Sequence, residues 1–168
     1  MQGALSLPDS PPEDVRITIP VMTPVSGKSD VLTSHDDALV SQGIMGPGLM
    51  IHTASHLIHS PVSGKITACD PLSYTYEITS KKGLKLRVSY GHDMTRFMGE
   101  KCEFLRRKND DVKSGEPVIR LNPAWLRQQQ VPSVCVVNVV NVSKLKALVP
   151  AQARHLSAPH DVLFTVYA

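Results

Sequence analysis

Strand-length runs of β-branched and aromatic residues recur along the whole chain, and they limit its fold more than any other feature. The runs read RITIPVM, LMIHT, KITAC, YTYEI, LKLRVSY, CEFL, PVIRL, VCVVNVVNV and VLFTVY. Gly, Pro, Asn, Asp and Ser separate them at short intervals, which is typical of β-strands joined by tight turns. We therefore predict an all-β fold.

Helical signals are few and short. The segment HDDALVSQGIMGPG has room for a turn or two before its Gly-Pro-Gly break, and NPAWLRQQQ favours a short helix that begins at Pro123. The segment NVSKLKALV offers Asn or Ser as an N-cap, followed by helical apolar spacing. We predict a short connector helix at each of these places.

The pentapeptide PVSGK occurs twice, at residues 24–28 and 61–65, and a looser copy, VKSGEPVIRL, spans residues 112–121. In each copy a Ser-Gly pair precedes a new apolar run. Proline before such a turn is a compact way to reverse the chain within a β-sandwich. We interpret the copies as the hammerhead-like corners of two related β motifs, and thus as architecture rather than chemistry.

The chain has 168 residues, of which 42% are hydrophobic and 20% charged, so it has enough apolar material for one domain. Residues 1–17 are rich in Pro, Ser and acidic residues and are predicted to be a flexible tail, with the domain spanning residues 18–168. The stretch MQGALSLPDSPPEDVR lacks the basic start and the apolar stretch typical of a secretory signal, and the sequence has no apolar run of membrane-spanning length. We expect a cytoplasmic protein.

Charge and cysteine content exclude several function classes. The net charge of +3 is dispersed and aromatic residues make up only 5%, so nucleic-acid binding is not expected. Cys69, Cys102 and Cys135 are widely spaced and form no C-x-x-C pair. This pattern argues against a disulfide scaffold or a zinc ribbon and predicts buried free thiols.

Ordered landmarks along the chain resemble a known family. They are TPVSGK, GIMGPGLMI, HSPVSGKITACDPLSYTYEI, KKGLKLRVSYGHD, GE at residues 99–100, and DDVKSGEPVIRL. Together they resemble the glucose-type enzyme IIA domain of the bacterial phosphoenolpyruvate-dependent sugar phosphotransferase system. The resemblance covers the chain from about residue 18 onward. It implies an antiparallel β-sandwich of duplicated hybrid (hammerhead) motifs.

The resemblance also implies a function and a set of partners. Family members receive a phosphoryl group on a histidine from the carrier HPr and pass it to a IIB domain that serves a sugar permease. Some also bind transporters and kinases as regulators. Two histidines face each other on neighbouring strands in a shallow apolar depression, one as nucleophile and one as hydrogen-bond donor to the phosphoryl oxygens.

At the two histidine positions of the family this sequence has Tyr74 and Ser89, while the glycines and the aspartate nearby match at Gly83, Gly91 and Asp93. A phosphate ester on a tyrosine or serine holds its phosphoryl group much more tightly than a histidine phosphoramidate does. We therefore expect no catalytic residue of the family type and no ordinary phosphoryl relay.

The resemblance assigns a pocket or partner-binding role to a further set of positions. They are Val40, Asp70, Leu72, Tyr74, Tyr76, Arg87, Ser89 and Asp93. Asp70 and Arg87 stand where the family has apolar side chains. Because an unpaired buried charge costs several kcal/mol, we expect both to be exposed or paired, which would change the partner that docks.

Two other histidines are candidates for a displaced phosphoryl acceptor. His92 lies three residues beyond Ser89, so in a regular strand it would point to the opposite face unless Gly91 bends the chain. His35 precedes Asp36 and Asp37 in a loop that borders the pocket in the family, where a capping or solvated role is expected.

His52, His56 and His59 have spacing that can hold zinc, but in a strand-turn-strand segment their side chains need not converge. We expect no metal and no cofactor. Biotinyl or lipoyl carriers and zinc peptidases share related corners, yet their lysine hairpin, HxH and HxxxD motifs are missing from this sequence.

Two hypotheses follow. The first is an enzyme-IIA-like domain that has lost phosphoryl transfer and binds partners as a regulatory module. The second is a working phosphocarrier that passes phosphate from HPr to a IIB domain with a displaced histidine such as His92.

Overall fold

Antiparallel strands are the main regular secondary structure in this computed structural model, which describes residues 7–168. Residues 1–6 of the predicted tail lie outside the described residues. The strands are β1 (Thr18–Met22), β2 (Gly27–Val31), β3 (Gly48–Thr53), β4 (Leu57–His59), β5 (Gly64–Asp70), β6 (Thr75–Ser80), β7 (Lys85–Tyr90), β8 (Glu103–Phe104), β9 (Asp111–Val112), β10 (Pro117–Arg120), β11 (Val134–Val139), β12 (Ala147–Pro150), β13 (His155–Leu156) and β14 (Val162–Tyr167).

The strands form a β-sandwich of antiparallel sheets, and the all-β prediction is confirmed. One sheet has eight strands in the order β13-β2-β3-β11-β7-β6-β5-β9, and two three-stranded sheets have the orders β1-β14-β12 and β4-β10-β8. Every one of the nine runs in which strands were predicted contains a strand. The antiparallel pairing lets each sheet bury one face and solvate the other.

Two of the three predicted connector helices are present, α1 (Ala38–Ser41) and α2 (Pro123–Gln128). Asp37 and Asn122 cap their first turns through side-chain oxygens. Within residues 7–168, no helix is long and apolar enough to cross a membrane.

The third predicted helix, in NVSKLKALV, is wrong. Its C-terminal half forms β12, which pairs with β14 in antiparallel register. Leu148 is fully buried in that pairing. Pairing with a distant strand outweighs the local helical spacing, because packing decides such short ambiguous runs.

Side chains alternate between core and surface along β6 and β7, the two central strands closest to the predicted site. Tyr76 and Ile78 on β6, and Leu86 and Val88 on β7, are fully buried in the main core. The residues between them are half-buried or exposed. The period of two therefore gives the eight-stranded sheet an inner face and an outer face at this point.

The two PVSGK copies are held by the same hydrogen bond. The Thr23 hydroxyl donates to the Val25 carbonyl at 2.6 Å, and the Ser60 hydroxyl donates to the Val62 carbonyl at 2.7 Å. Both hydroxyl residues are completely buried. The repeat therefore extends one residue towards the N-terminus and satisfies a buried carbonyl in each corner.

The glycine of each copy allows a close backbone approach. A Cβ on Gly27 would lie 1.8 Å from the His52 carbonyl oxygen, and a Cβ on Gly64 would lie 2.1 Å from the Thr79 carbonyl oxygen. No side chain fits at such a distance. The architectural interpretation of the repeat is thus supported by the same constraint in both corners.

The third, looser copy packs against the second. Ser114 N donates to the Ser63 hydroxyl at 2.9 Å, and Gly115 N donates to the Ser60 carbonyl at 2.8 Å. The Ser-Gly turn thereby leads into β10, as its sequence predicts.

The three cysteines are free thiols at different depths. Cys135 on β11 is fully buried, as expected, whereas Cys69 and Cys102 are only half-buried. Burial raises the pKa of Cys102 to about 12 and also raises the pKa of Cys69 and of Cys135. All three therefore stay protonated near neutral pH.

Candidate functional site

The outer face of β6 and β7 carries the polar residues nearest to the predicted pocket. Thr75 lies directly opposite Ser89, and Glu77 lies directly opposite Arg87. Glu77, Arg87 and Ser89 are half-buried, whereas Thr75 is buried. Opposite charges at directly opposite strand positions attract each other. Glu77 and Arg87 form no salt bridge in the described part of the chain, so the half-buried Arg87 has Glu77 as a cross-strand neighbour rather than as an ion-pair partner.

Strand β11 continues this outer face beside β7. Val136 lies opposite Ser89 and Asn138 lies opposite Arg87. Asn138 is fully buried and its Nδ2 donates to the Gly46 carbonyl at 3.0 Å, while its Oδ1 has no hydrogen-bond partner among the described residues. Asn138 therefore ties the turn before β3 to the sheet, a role that the sequence analysis missed because the contact is long-range.

A small second core lies on the same face. It contains Leu32, Val40, Met50, Val134 and Val136. Val40 belongs to α1, whose first turn is capped by Asp37 Oδ1 accepting from Leu39 N at 2.9 Å. The cap fixes the helix so that Val40 is buried against β11, close to the outer face on which Ser89 lies.

A groove with a volume of about 830 Å³ runs beside this second core. Its apolar lining includes Val31, Leu32, Val40, Ile44, Met45, Val140 and Val142, and Leu7 contributes from the N-terminal segment. Glu77 and Arg87 add a charged wall. Because Val31, Ile44 and Val140 remain exposed, the groove offers apolar surface of the kind that marks protein-binding sites.

Tyr74 does not lie on this surface, contrary to expectation. The residue is fully buried, follows the turn Pro71–Ser73 in a left-handed backbone conformation, and its hydroxyl donates to the Glu100 carbonyl. Burial, with smaller contributions from Cys102 and Glu100, raises the pKa of Tyr74 to about 12. Its phenol is therefore neutral and engaged inside the protein.

Tyr76 is also a core residue rather than a surface residue. It is fully buried on the inner side of β6, and its hydroxyl donates to the His59 carbonyl at 3.0 Å. Burial raises its pKa well above the usual value of 10.0. The period of two along β6 explains the correction, because Tyr76 alternates with the outward-facing Glu77.

Asp70, Leu72 and Asp93 are all exposed. Asp70 caps the turn Pro71–Ser73, with Oδ1 accepting from Leu72 N at 3.1 Å and Oδ2 accepting from the Ser73 hydroxyl at 2.7 Å. The prediction that Asp70 is exposed or paired is confirmed, since it is both. Asp93 precedes the turn Met94–Phe97 without a side-chain capping bond.

His92 and His35 meet at the N-terminus of α1. Their ring centroids are 6.1 Å apart in an edge-to-face arrangement, and His92 Nδ1 lies 3.7 Å from Asp37 Oδ2. His35 Nδ1 accepts a hydrogen bond from Asp37 N at 2.9 Å, so His35 supports the N-cap residue of α1 and is not itself the cap. Burial lowers the pKa of His35, and His92 adds to this effect, whereas Asp37 and Asp36 oppose it.

The histidines of the HTASHLIH segment are engaged separately. His52 Nε2 lies 3.3 Å from Asp30 Oδ2, and His59 Nδ1 lies 3.0 Å from the Pro24 carbonyl. Among residues 7–168, no cluster of three or more His, Cys, Asp or Glu side chains is arranged to hold a metal ion.

Comparison with known proteins gives a family match. The family described as phosphoenolpyruvate-dependent sugar phosphotransferase system, EIIA 1, matches residues 19–145. The glucose-specific EIIA component of Staphylococcus aureus (strain MSSA476) is 24% identical over 136 residues, which are 81% of this chain and 82% of that protein.

A longer relative contains the same domain. The glucose-specific EIIBCA component of Corynebacterium glutamicum is 22% identical over 145 residues, which are 86% of this chain. The chain spans 22% of the length of that relative.

The fold has a counterpart among solved structures. Glucose permease IIA from Mycoplasma capricolum superposes with a TM-score of 0.77 at 21% identity, covering 89% of this chain and 96% of that chain. At this identity the likeness shows the fold alone.

Proposed function

The chain belongs to the EIIA 1 family of the phosphoenolpyruvate-dependent sugar phosphotransferase system, and on that premise we propose that it is a protein-binding module and not a histidine phosphocarrier. The supporting observation is what stands at the two positions that the sequence resemblance assigns to histidines. Tyr74 is buried and hydrogen-bonded to the Glu100 carbonyl, and Ser89 is half-buried on β7. Neither residue supplies an imidazole nitrogen.

The chemistry of these two side chains opposes a relay. A relay needs a phosphoryl group that both arrives and leaves easily, and a phosphate ester on a hydroxyl leaves far less readily than a histidine phosphoramidate. The Tyr74 phenol is further disfavoured as a nucleophile, because burial raises its pKa to about 12. The residues opposite Ser89 on the neighbouring strands are Thr75 and Val136, and neither is a histidine or a carboxylate that could act as its base.

The same region supports protein docking. The groove combines exposed apolar side chains with the opposed charges of Glu77 and Arg87. Apolar contact supplies affinity and the charged pair selects the partner. We propose that the partner is an HPr-like protein, a IIB domain, or a transporter or kinase under regulation, and that the protein works in the cytoplasm.

Binding to purified HPr and to an isolated IIB domain tests the docking role. The unphosphorylated proteins are titrated separately into the full chain, and backbone amide shifts of Glu77, Arg87 and Ser89 are followed by NMR. We expect saturable shifts at these residues with at least one of the two proteins. Arg87→Glu should weaken that binding about tenfold or more, because it puts two acidic groups side by side.

Arg120→Glu is the matched control. Arg120 lies on β10 in a different sheet, and within residues 7–168 the exposed Glu103, at 3.1 Å, is its only acidic contact. This variant should bind as tightly as the unchanged protein. If neither HPr nor the IIB domain shifts the outer-face amides, docking of these two proteins at this surface is wrong.

One observation favours the alternative of a displaced carrier. His92 is half-buried, lies beside Asp37, and faces His35 edge to face. In that alternative the phosphoryl group moves from a histidine nitrogen of HPr to Nε2 of His92, so one P–N bond replaces another, while Asp37 holds Nδ1. Loss of acid-labile phosphoprotein in His92→Asn would distinguish this alternative from the binding module.

A further inference from the structure

Followed from β1 towards the N-terminus, the chain leaves the sheet and contacts the protein surface again at Leu7. Arg16 and Ile17 both donate their backbone N–H groups to the Ala168 carbonyl at 2.9 Å, and Lys146 Nζ donates to the Asp14 carbonyl. Residues 9–11 are then exposed, whereas Leu7 is half-buried. Residues 9–11 form no strand, so contacts near Leu7 hold this part of the segment on the protein surface.

Leu7 returns to the groove itself. It packs against the main core and forms part of the groove lining, together with Val142 among others. Removal of a leucine side chain from water favours this position. With Leu7 in its wall the groove keeps a volume of about 830 Å³, and Val31, Ile44 and Val140 stay exposed, so Leu7 covers only one side of the groove.

We propose that Leu7 is an internal occupant at one side of the groove, which a protein partner displaces when it docks. The regulatory half of this inference rests on the proposed function, whereas the occupancy does not. The contact comes from one half-buried side chain at the end of a short segment. The equilibrium between Leu7 bound at the groove and Leu7 displaced from it therefore favours the bound state by a small factor. Such an occupant competes with a partner without blocking it.

Methyl NMR of the full-length protein tests the occupancy without any partner. Leu7→Ser should shift the methyl signals of Ile44, Val140 and Val142, because it removes the apolar side chain from the groove. Leu7→Met, which keeps an apolar side chain of similar volume, should give shifts close to those of the unchanged protein. Ile17→Ser is the second control, since Ile17 is an exposed apolar residue of the same segment that is absent from the groove lining.

A peptide with the sequence of residues 1–12 provides a second, independent test. Added to the Leu7→Ser protein, it should restore the groove methyl signals of the unchanged protein, and the same peptide with Leu7→Ser should not. If Leu7→Ser leaves the groove signals unchanged, Leu7 does not occupy the groove and the inference is wrong.

The affinity of the protein for a partner tests whether Leu7 competes with that partner for the groove. Leu7→Ser should bind an HPr or IIB probe about fivefold more tightly than the unchanged protein, because no internal occupant has to leave. An unchanged affinity, together with shifted groove signals, would overturn the competition but not the occupancy. If neither protein binds the probe while the methyl shifts appear, the proposed function fails and the occupancy stands.

Discussion

His92 lies edge to face with His35, with 6.1 Å between their ring centroids, at the point where α1 begins. Asp37 links the two, since its backbone N–H donates to His35 Nδ1 and its carboxylate lies 3.7 Å from His92 Nδ1. The bond to Asp37 N requires an unprotonated Nδ1 on His35. The start of α1, which carries Val40 into the second core, thus depends on the protonation of one histidine.

The stability of the protein should fall on acidification through His35. Its pKa in the folded protein lies below the usual 6.5, so the unfolded chain takes up the proton first as the pH falls. The stabilisation is complete above about pH 6.5 and is lost as the pH falls through the lower folded pKa. Denaturant unfolding measured at several pH values should show this decline.

His35→Asn keeps an acceptor for Asp37 N but does not titrate, so the variant should lose less stability on acidification than the unchanged protein. His155→Asn, at an exposed position on β13, is the control and should leave the pH dependence as it is. An equal acid-induced loss in His35→Asn and in the unchanged protein would show that His35 does not contribute to it.

The two repeat glycines should be far more sensitive to substitution than an open glycine. Gly64→Ala brings a Cβ to within 2.1 Å of the Thr79 carbonyl, so the strands must separate. We expect a loss of about 2 kcal/mol or more in the free energy of unfolding, and a similar or larger loss for Gly27→Ala. Urea unfolding measures the loss.

Gly83→Ala is the matched control, because no atom of residues 7–168 lies within 4 Å of its added Cβ. Its cost arises from the positive φ of +88° alone and should be about 1 kcal/mol. Equal losses for Gly64→Ala and Gly83→Ala would contradict the close approach at the repeat.

The cysteines should react slowly with iodoacetamide near neutral pH. Burial raises the pKa of all three thiols, to about 12 for Cys102, so little reactive thiolate is present. We expect labelling at least tenfold slower than that of a free small thiol, with Cys135 last, as followed by peptide mass analysis. Rapid labelling of Cys135 in the native protein would contradict its complete burial, and labelling in denaturant provides the full-reaction control.

Most of the strands could be predicted from the sequence because their cause is local. Runs such as YTYEI and LKLRVSY alternate with period two between turn residues, and β6 and β7 form there. β12 could not be predicted in this way, because LKALV fits both helical and strand spacing. Its pairing with β14 decides the structure and is invisible to a local pattern.

The sequence resemblance located the strands of the candidate site, but it did not reveal which way each side chain points. Resemblance placed Ser89 and Arg87 near each other, and both lie on the outer face. It placed Tyr74 there too, but that side chain turns inward from a left-handed residue and binds the Glu100 carbonyl. The contact of His35 with His92 depends on how a loop folds over the end of a strand, which residue spacing does not reveal.

The proposal that this chain has no histidine relay is tested most directly by phosphorylation of the purified protein. The chain is incubated with phosphoenolpyruvate, enzyme I and HPr, and its intact mass is measured at neutral and at acidic pH. The glucose-specific EIIA component of Staphylococcus aureus serves as the control for active reagents. We predict no mass gain on this chain while the control gains a phosphoryl group. A single phosphoryl group that is lost in acid, and that disappears in His92→Asn, would contradict the binding-module account and establish the displaced carrier.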